Sequence, residues 1–87
     1  MTRSEYFSLY GVCLNAARMI HMDIPRESKY WRFVFENYTY KVGAYGTGIG
    51  LVRHPYKTSA IIPIKSLTPE DLLVAINLFA INDVLAS

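Results

Sequence analysis

Thr68-Pro69-Glu70-Asp71 opens the segment that most restricts how this chain can fold. A threonine at an N-cap accepts from an early helical N–H, a proline fits the first helical position, and two acids in the first turn suit the helix dipole. The pattern predicts a helix from Pro69 to about Leu85. Along it Asn77, Asn82 and Asp83 point in three directions, and Leu72, Leu73, Ile76, Leu78, Phe79, Ile81, Val84 and Leu85 surround them. A helix apolar nearly all round is normally buried on more than one side.

A chain of 87 residues makes one domain, and a single small core does not easily cover such a helix. Composition sharpens the point: 52% of the residues are hydrophobic and 18% charged, against about 25% charged in a typical soluble domain. Self-association, most simply as a dimer through Leu78, Ile81 and Leu85, is the expected outlet. The 14% aromatic content and low net charge exclude disorder, and a single cysteine, Cys13, excludes a disulfide scaffold and suits a reducing compartment. The N-terminal segment lacks the apolar core of a signal peptide. The run from Leu72 to Ala86 carries Asn77, Asn82 and Asp83 and falls short of the roughly 20 residues that span a bilayer. A cytoplasmic protein without a membrane partner is expected.

The rest of the chain reads as helix, then strands. Thr2 with Glu5 has capping-box spacing and opens an amphipathic helix from about Arg3 to His21. Tyr6, Leu9, Tyr10, Cys13, Ala16, Ala17 and Ile20 share its apolar face, and Ser4, Ser8, Gly11, Asn15 and Arg18 form the opposite stripe. Pro25 ends that pattern. Tyr30 to Tyr38 fits a strand with Trp31, Phe33 and Phe35 on one face. It also fits a short helix begun at Pro25, although the aromatic enrichment favours the strand. Tyr38 to Tyr45 alternates again, Gly46-Thr47-Gly48 reads as a hairpin turn, and Ile49 to Arg53 returns as a strand. His54 to Thr58 is a loop, and Ser59 to Lys65 a further strand that Pro63 assigns to a sheet edge or a bulge. Residues 1–87 are therefore expected to form a single α+β domain: N-terminal helix, three- to four-stranded antiparallel sheet, C-terminal helix.

Motifs for chemistry are sparse. Gly43, Gly46, Gly48 and Gly50 match no phosphate-binding fingerprint, since the P-loop lysine is absent and Leu51 stands where GxGxxG needs a glycine. Glycines of a twisted hairpin explain the cluster better than an anion site does. Cys13 lies on the apolar helix face and reads as a packed small hydrophobe. His21 and Asp23 make too small a set for a metal, and nothing marks His54 as a general base. No metal, cofactor or catalytic activity is expected.

Charge is sorted along the chain. All seven acids lie outside residues 37–69, a segment that holds Lys41, Arg53, Lys57 and Lys65, so it carries +4 within a net +2. Tyrosines are interleaved with these bases. Lys41, Tyr45, Arg53, His54, Tyr56 and Lys57 are accordingly the candidate partner- or anion-binding residues. The expectation is a non-enzymatic interaction module that binds and modulates a macromolecular partner, of the kind phages and other mobile elements encode as inhibitors. The alternative is an anion-binding module for nucleic acid or a small nucleotide.

Overall fold

The computed structural model describes residues 1–25, 28–54 and 61–86. Its elements run α1 (Arg3–Ile20), β1 (Tyr30–Phe35), β2 (Tyr38–Tyr45), β3 (Gly48–His54), β4 (Ile62–Ile64) and α2 (Pro69–Ala86). The strands form one antiparallel sheet in the order β1-β2-β3-β4. α1 packs on β1 and β2, α2 on β3 and β4, and the helices touch each other. The expected α+β domain is the one observed, with four strands rather than three.

Both helix starts follow from the sequence. Thr2 N–H donates to Glu5 Oε1 at 3.3 Å and Glu5 N–H donates to Thr2 Oγ1 at 3.1 Å, so two orphan groups satisfy each other. Asp71 N–H donates to Thr68 Oγ1 at 3.3 Å, and the Ser66 hydroxyl donates to the Asp71 carboxylate, tying the approach to α2 down.

Residues 30–35 are strand, which settles the helix-or-strand ambiguity. The strand does not run on to Tyr38, however. Glu36 and Asn37 both have positive φ, 48° and 71°, and make a two-residue turn between paired Phe35 and Tyr38. Two successive left-handed residues match the twist of the flanking strands, and asparagine tolerates this geometry far better than glutamate. The second hairpin is equally tight. Its central residues are Gly46 and Thr47, with φ +57° at Gly46, and Tyr45 pairs with Gly48. β4 is an edge strand and the exposed Pro63 sits in it, where a missing ladder donor is tolerated. Of the residues expected in that strand, Ser59 and Ala60 lie outside the described ones.

One core lies between the helices and the sheet. Leu9, Val12, Cys13 and Ala16 from α1 and Leu72, Ala75, Ile76 and Phe79 from α2 meet Phe33, Phe35, Tyr40, Val42, Leu51, Ile62 and Ile64. α1 is rolled relative to the expected face: Val12 is buried, whereas Tyr6 and Tyr10 are exposed and stack on each other. Small Cys13 and Ala16 are among the residues α1 turns into the core, and the two bulky rings stay at the margin. Apolar surface is left over on the helix layer. Tyr6, Phe7, Tyr10 and Leu14 on α1 and Val74, Leu78, Ile81, Val84 and Leu85 on α2 are all exposed. No helix among the described residues is long and apolar enough to cross a membrane.

Candidate interaction site

The face of the sheet turned away from the helices is where the candidate residues begin to converge. The register places Arg32 opposite Lys41 and Lys41 opposite Val52, and one row along it places Val34 opposite Thr39 and Thr39 opposite His54. Side chains alternate along a strand, so Tyr30, Arg32, Lys41, Tyr45 and His54 share the open face. Two like charges directly across a ladder repel, so the Arg32–Lys41 pair lowers stability unless an anion lies over it. Lys41 Nζ sits 4.9 Å from the centroid of the Tyr30 ring, an arrangement that holds the ammonium over an aromatic face. The described strand residues contribute no carboxylate to this face.

Between the tyrosines the sheet has a slot of about 200 Å³, lined by Tyr30, Lys41, Tyr45, Val52 and Ile61 above Gly43 and Gly50. Those two glycines are register partners. A Cβ on Gly50 would come within 2.8 Å of Ile61 and 3.1 Å of Tyr45, and one on Gly43 within 2.0 Å of the Lys29 carbonyl oxygen. The glycines therefore serve close approach of neighbouring chain. The slot is smaller than the roughly 300–1,000 Å³ of ordinary small-molecule sites and has room for one planar ring.

Arg53 does not belong to this surface, contrary to expectation. It pairs with Tyr40, faces the helices and is only 7% exposed. Its Nη2 donates to Asp83 Oδ1 at 2.6 Å, and its guanidinium lies 4.4 Å from the Tyr38 ring centroid and 5.2 Å from that of Phe79. The hydrogen bond to Asp83 raises its pKa further, against the opposing effect of burial. Burial raises the Tyr40 phenol, with the nearby Arg53 charge pulling the other way. Arg53 is thus a clasp between β3 and the last turns of α2. The reason is register. A three-residue loop centred on Thr47 would put Arg53 beside Lys41, whereas the two-residue turn shifts the pairing by one and sends it to the other face.

Of the remaining candidates, Tyr56 and Lys57 lie outside the described residues. Leu78, Ile81 and Leu85 are all exposed on α2. Arg32 and Tyr30 were missed, because they precede the acid-free segment. Pairing across the Glu36-Asn37 turn was the signal that would have brought Arg32 to Lys41.

Among the described residues, no group of three or more His, Cys, Asp or Glu side chains that could hold a metal ion comes together. A second cleft, of about 720 Å³, opens where Ile20 and Ile24 approach Ile64 and Leu67, with His21 and Lys65 among its walls. It gathers none of the predicted site residues. Cys13 is buried, and burial pushes its thiol up to about 11, helped by the Glu70 charge. A nucleophilic cysteine needs the opposite shift. At neutral pH roughly one Cys13 in ten thousand is ionised, so native protein should resist alkylation.

The same shift carries a pH dependence. The folded thiol keeps its proton up to about pH 11, whereas an unfolded thiol loses it near 9.0. The stability this contributes is complete below the lower value and is lost as pH rises towards the upper one, at about 1.4 kcal/mol per unit. Urea unfolding at pH 8 and pH 10.5 should therefore show the advantage of wild type over Cys13→Ala shrinking by about 2 kcal/mol. Parallel pH profiles for the two proteins would show that Cys13 does not titrate this way.

No protein-family model, curated protein or solved structure matches the chain.

Proposed function

We propose that the chain is a non-enzymatic interaction module whose open sheet face docks on an acidic surface of a partner protein and inhibits it by covering that surface. The observation that carries this is the direct cross-strand register of Arg32 and Lys41, with Tyr30 beside them and no strand carboxylate to neutralise them among the described residues. A face that places two cations side by side is suited to an anionic counterpart, and tyrosine with arginine makes effective interface anchors. An inhibitor of this size fits the accessory proteins of phages and other mobile elements. A cytoplasmic location belongs to the same proposal and suits the unpaired, buried Cys13.

The glycine-floored slot favours a second reading, in which a nucleobase stacks between Tyr30 and Tyr45 while phosphates meet Arg32 and Lys41. One experiment separates the two. Immobilised wild type and an Arg32→Glu/Lys41→Glu variant are challenged with nuclease-treated host lysate, and any retained protein is purified and titrated back. An acidic protein bound at least tenfold more weakly by the variant supports the proposal. Retention unchanged by the variant, or no saturable binding, overturns it. Oligonucleotide binding that falls with salt at a log–log slope of roughly −1.5, as two phosphate contacts on a single strand require, transfers the site to nucleic acid.

A further inference from the structure

We propose that a second copy of this chain covers the helix layer, α2 packing against α2 about a two-fold axis so that the dimer is layered sheet, helices, helices, sheet. The first ground is area. The nine exposed apolar side chains on α1 and α2 are together worth on the order of 1,000 Å² of surface at their observed exposures. A standard stable interface takes about 800 Å² from each partner, and monomers rarely leave a contiguous apolar patch larger than a few hundred Å².

Spacing is the second ground. Val74, Leu78, Ile81 and Leu85 recur at intervals of four, three and four, the seam that lets one helix seat its side chains in the grooves of another. On α1, Phe7, Tyr10 and Leu14 repeat at three and four, and α1 lies directly beside α2.

Charge selects the occupant. In an isologous dimer each patch meets itself, so a patch that carries net charge repels its copy. Between Leu72 and Ala86 the only charged residue is Asp83, and its carboxylate is engaged by Arg53 at 2.6 Å. The α2 seam is therefore self-compatible, and on the α1 side Arg3 lies at the N-terminal margin, over the Phe7 ring at 5.6 Å from its centroid. The opposite face of the molecule is not self-compatible, because apposing two copies there would bring Arg32 and Lys41 against themselves. Helix-layer pairing also leaves both cationic sheets facing outwards, on opposite sides of the particle. If the proposed function holds, the dimer is bivalent, but the dimer itself does not depend on that function.

Sedimentation equilibrium of the purified protein at micromolar concentration should give twice the 9.9 kDa chain mass. Leu78→Glu/Ile81→Glu should give a monomer with wild-type far-UV circular dichroism. Val34→Glu, on the sheet face, should stay dimeric. A wild-type monomer overturns the proposal, as does dissociation by Val34→Glu while the helix variant stays paired. Should the double variant lose its helical signal, Val74→Glu, at a site 59% exposed, tests the same seam. A folded Val74→Glu protein that dimerises as tightly as wild type also overturns it.

Discussion

Asp83→Ala should destabilise the domain by about 2 kcal/mol, a melting-temperature loss of roughly 8–16 °C for a domain of this size. Breaking a fully buried ion pair costs about 3–5 kcal/mol, because the surviving charge is left without a partner in a poor solvent. Arg53 meets that description at 7% exposed, but the Asp83 side chain is 41% exposed. Water can therefore reach the space the carboxylate leaves, and the Tyr38 and Phe79 rings still face the guanidinium, which lowers the expected loss. The damage should be local before it is global. Asp83 sits in the last turns of α2, beyond the buried Phe79, so amide exchange from Ala80 to Ala86 should accelerate most. A second change distinguishes lost attraction from stranded charge. Adding Arg53→Met to Asp83→Ala should recover most of the loss if the penalty is an unpaired guanidinium, since a flexible apolar chain fills the same channel. Denaturant unfolding of both variants decides it. A loss below about 0.5 kcal/mol for Asp83→Ala would mean that the pair behaves as a surface ion pair.

That clasp also marks where sequence reasoning reaches its limit. Helix ends were legible because their signals are local: Thr2 with Glu5, and Thr68 with Pro69, Glu70 and Asp71, satisfy backbone groups within one turn. The edge position of β4 was legible for a similar reason, since Pro63 cannot donate wherever it is placed. Sheet faces were not, because they depend on counting. Reading the second turn as three residues rather than two moves Arg53 across the sheet, and overlooking the Glu36-Asn37 turn hides the Arg32–Lys41 pair. The turn at Glu36 was hard to see because glutamate is a poor residue for positive φ, so only tertiary pairing of the strands holds it there. α1 failed differently. Its wheel offers a mostly apolar arc from Val12 round to Phe7, wider than one buried face, and only packing on the sheet decides that Val12 goes inside and Tyr10 stays out. The surplus on α2 was legible because no rotation of that helix hides all of it.

Gly43→Ala should be more damaging still, at about 3 kcal/mol or more, and it tests what the glycines are for. The total stability of a domain this long is on the order of 4–13 kcal/mol, so the variant would lose between about a quarter and three quarters of it. The magnitude follows from what the new methyl would meet. Its carbon would lie 2.0 Å from the Lys29 carbonyl oxygen and 2.6 Å from Tyr30 Cα, and both are backbone atoms that cannot rotate away. Relief requires β1 to lift from β2 at its first pair, Tyr30 with Gly43, and to lose the bond in which Ala44 N–H donates to the Lys29 carbonyl. The same substitution at Gly11 should have the opposite sign. A Cβ there meets nothing within 4 Å, and alanine within a helix is favoured over glycine by about 1 kcal/mol. Gly46→Ala falls between them, since the space is open but φ is +57°. Thermal unfolding of the three variants thus separates close approach, backbone conformation and helix propensity, each acting at one glycine. If Gly43→Ala were as stable as wild type, close approach would not explain Gly43, and its place under the Tyr30–Tyr45 slot would have to be explained by what binds there.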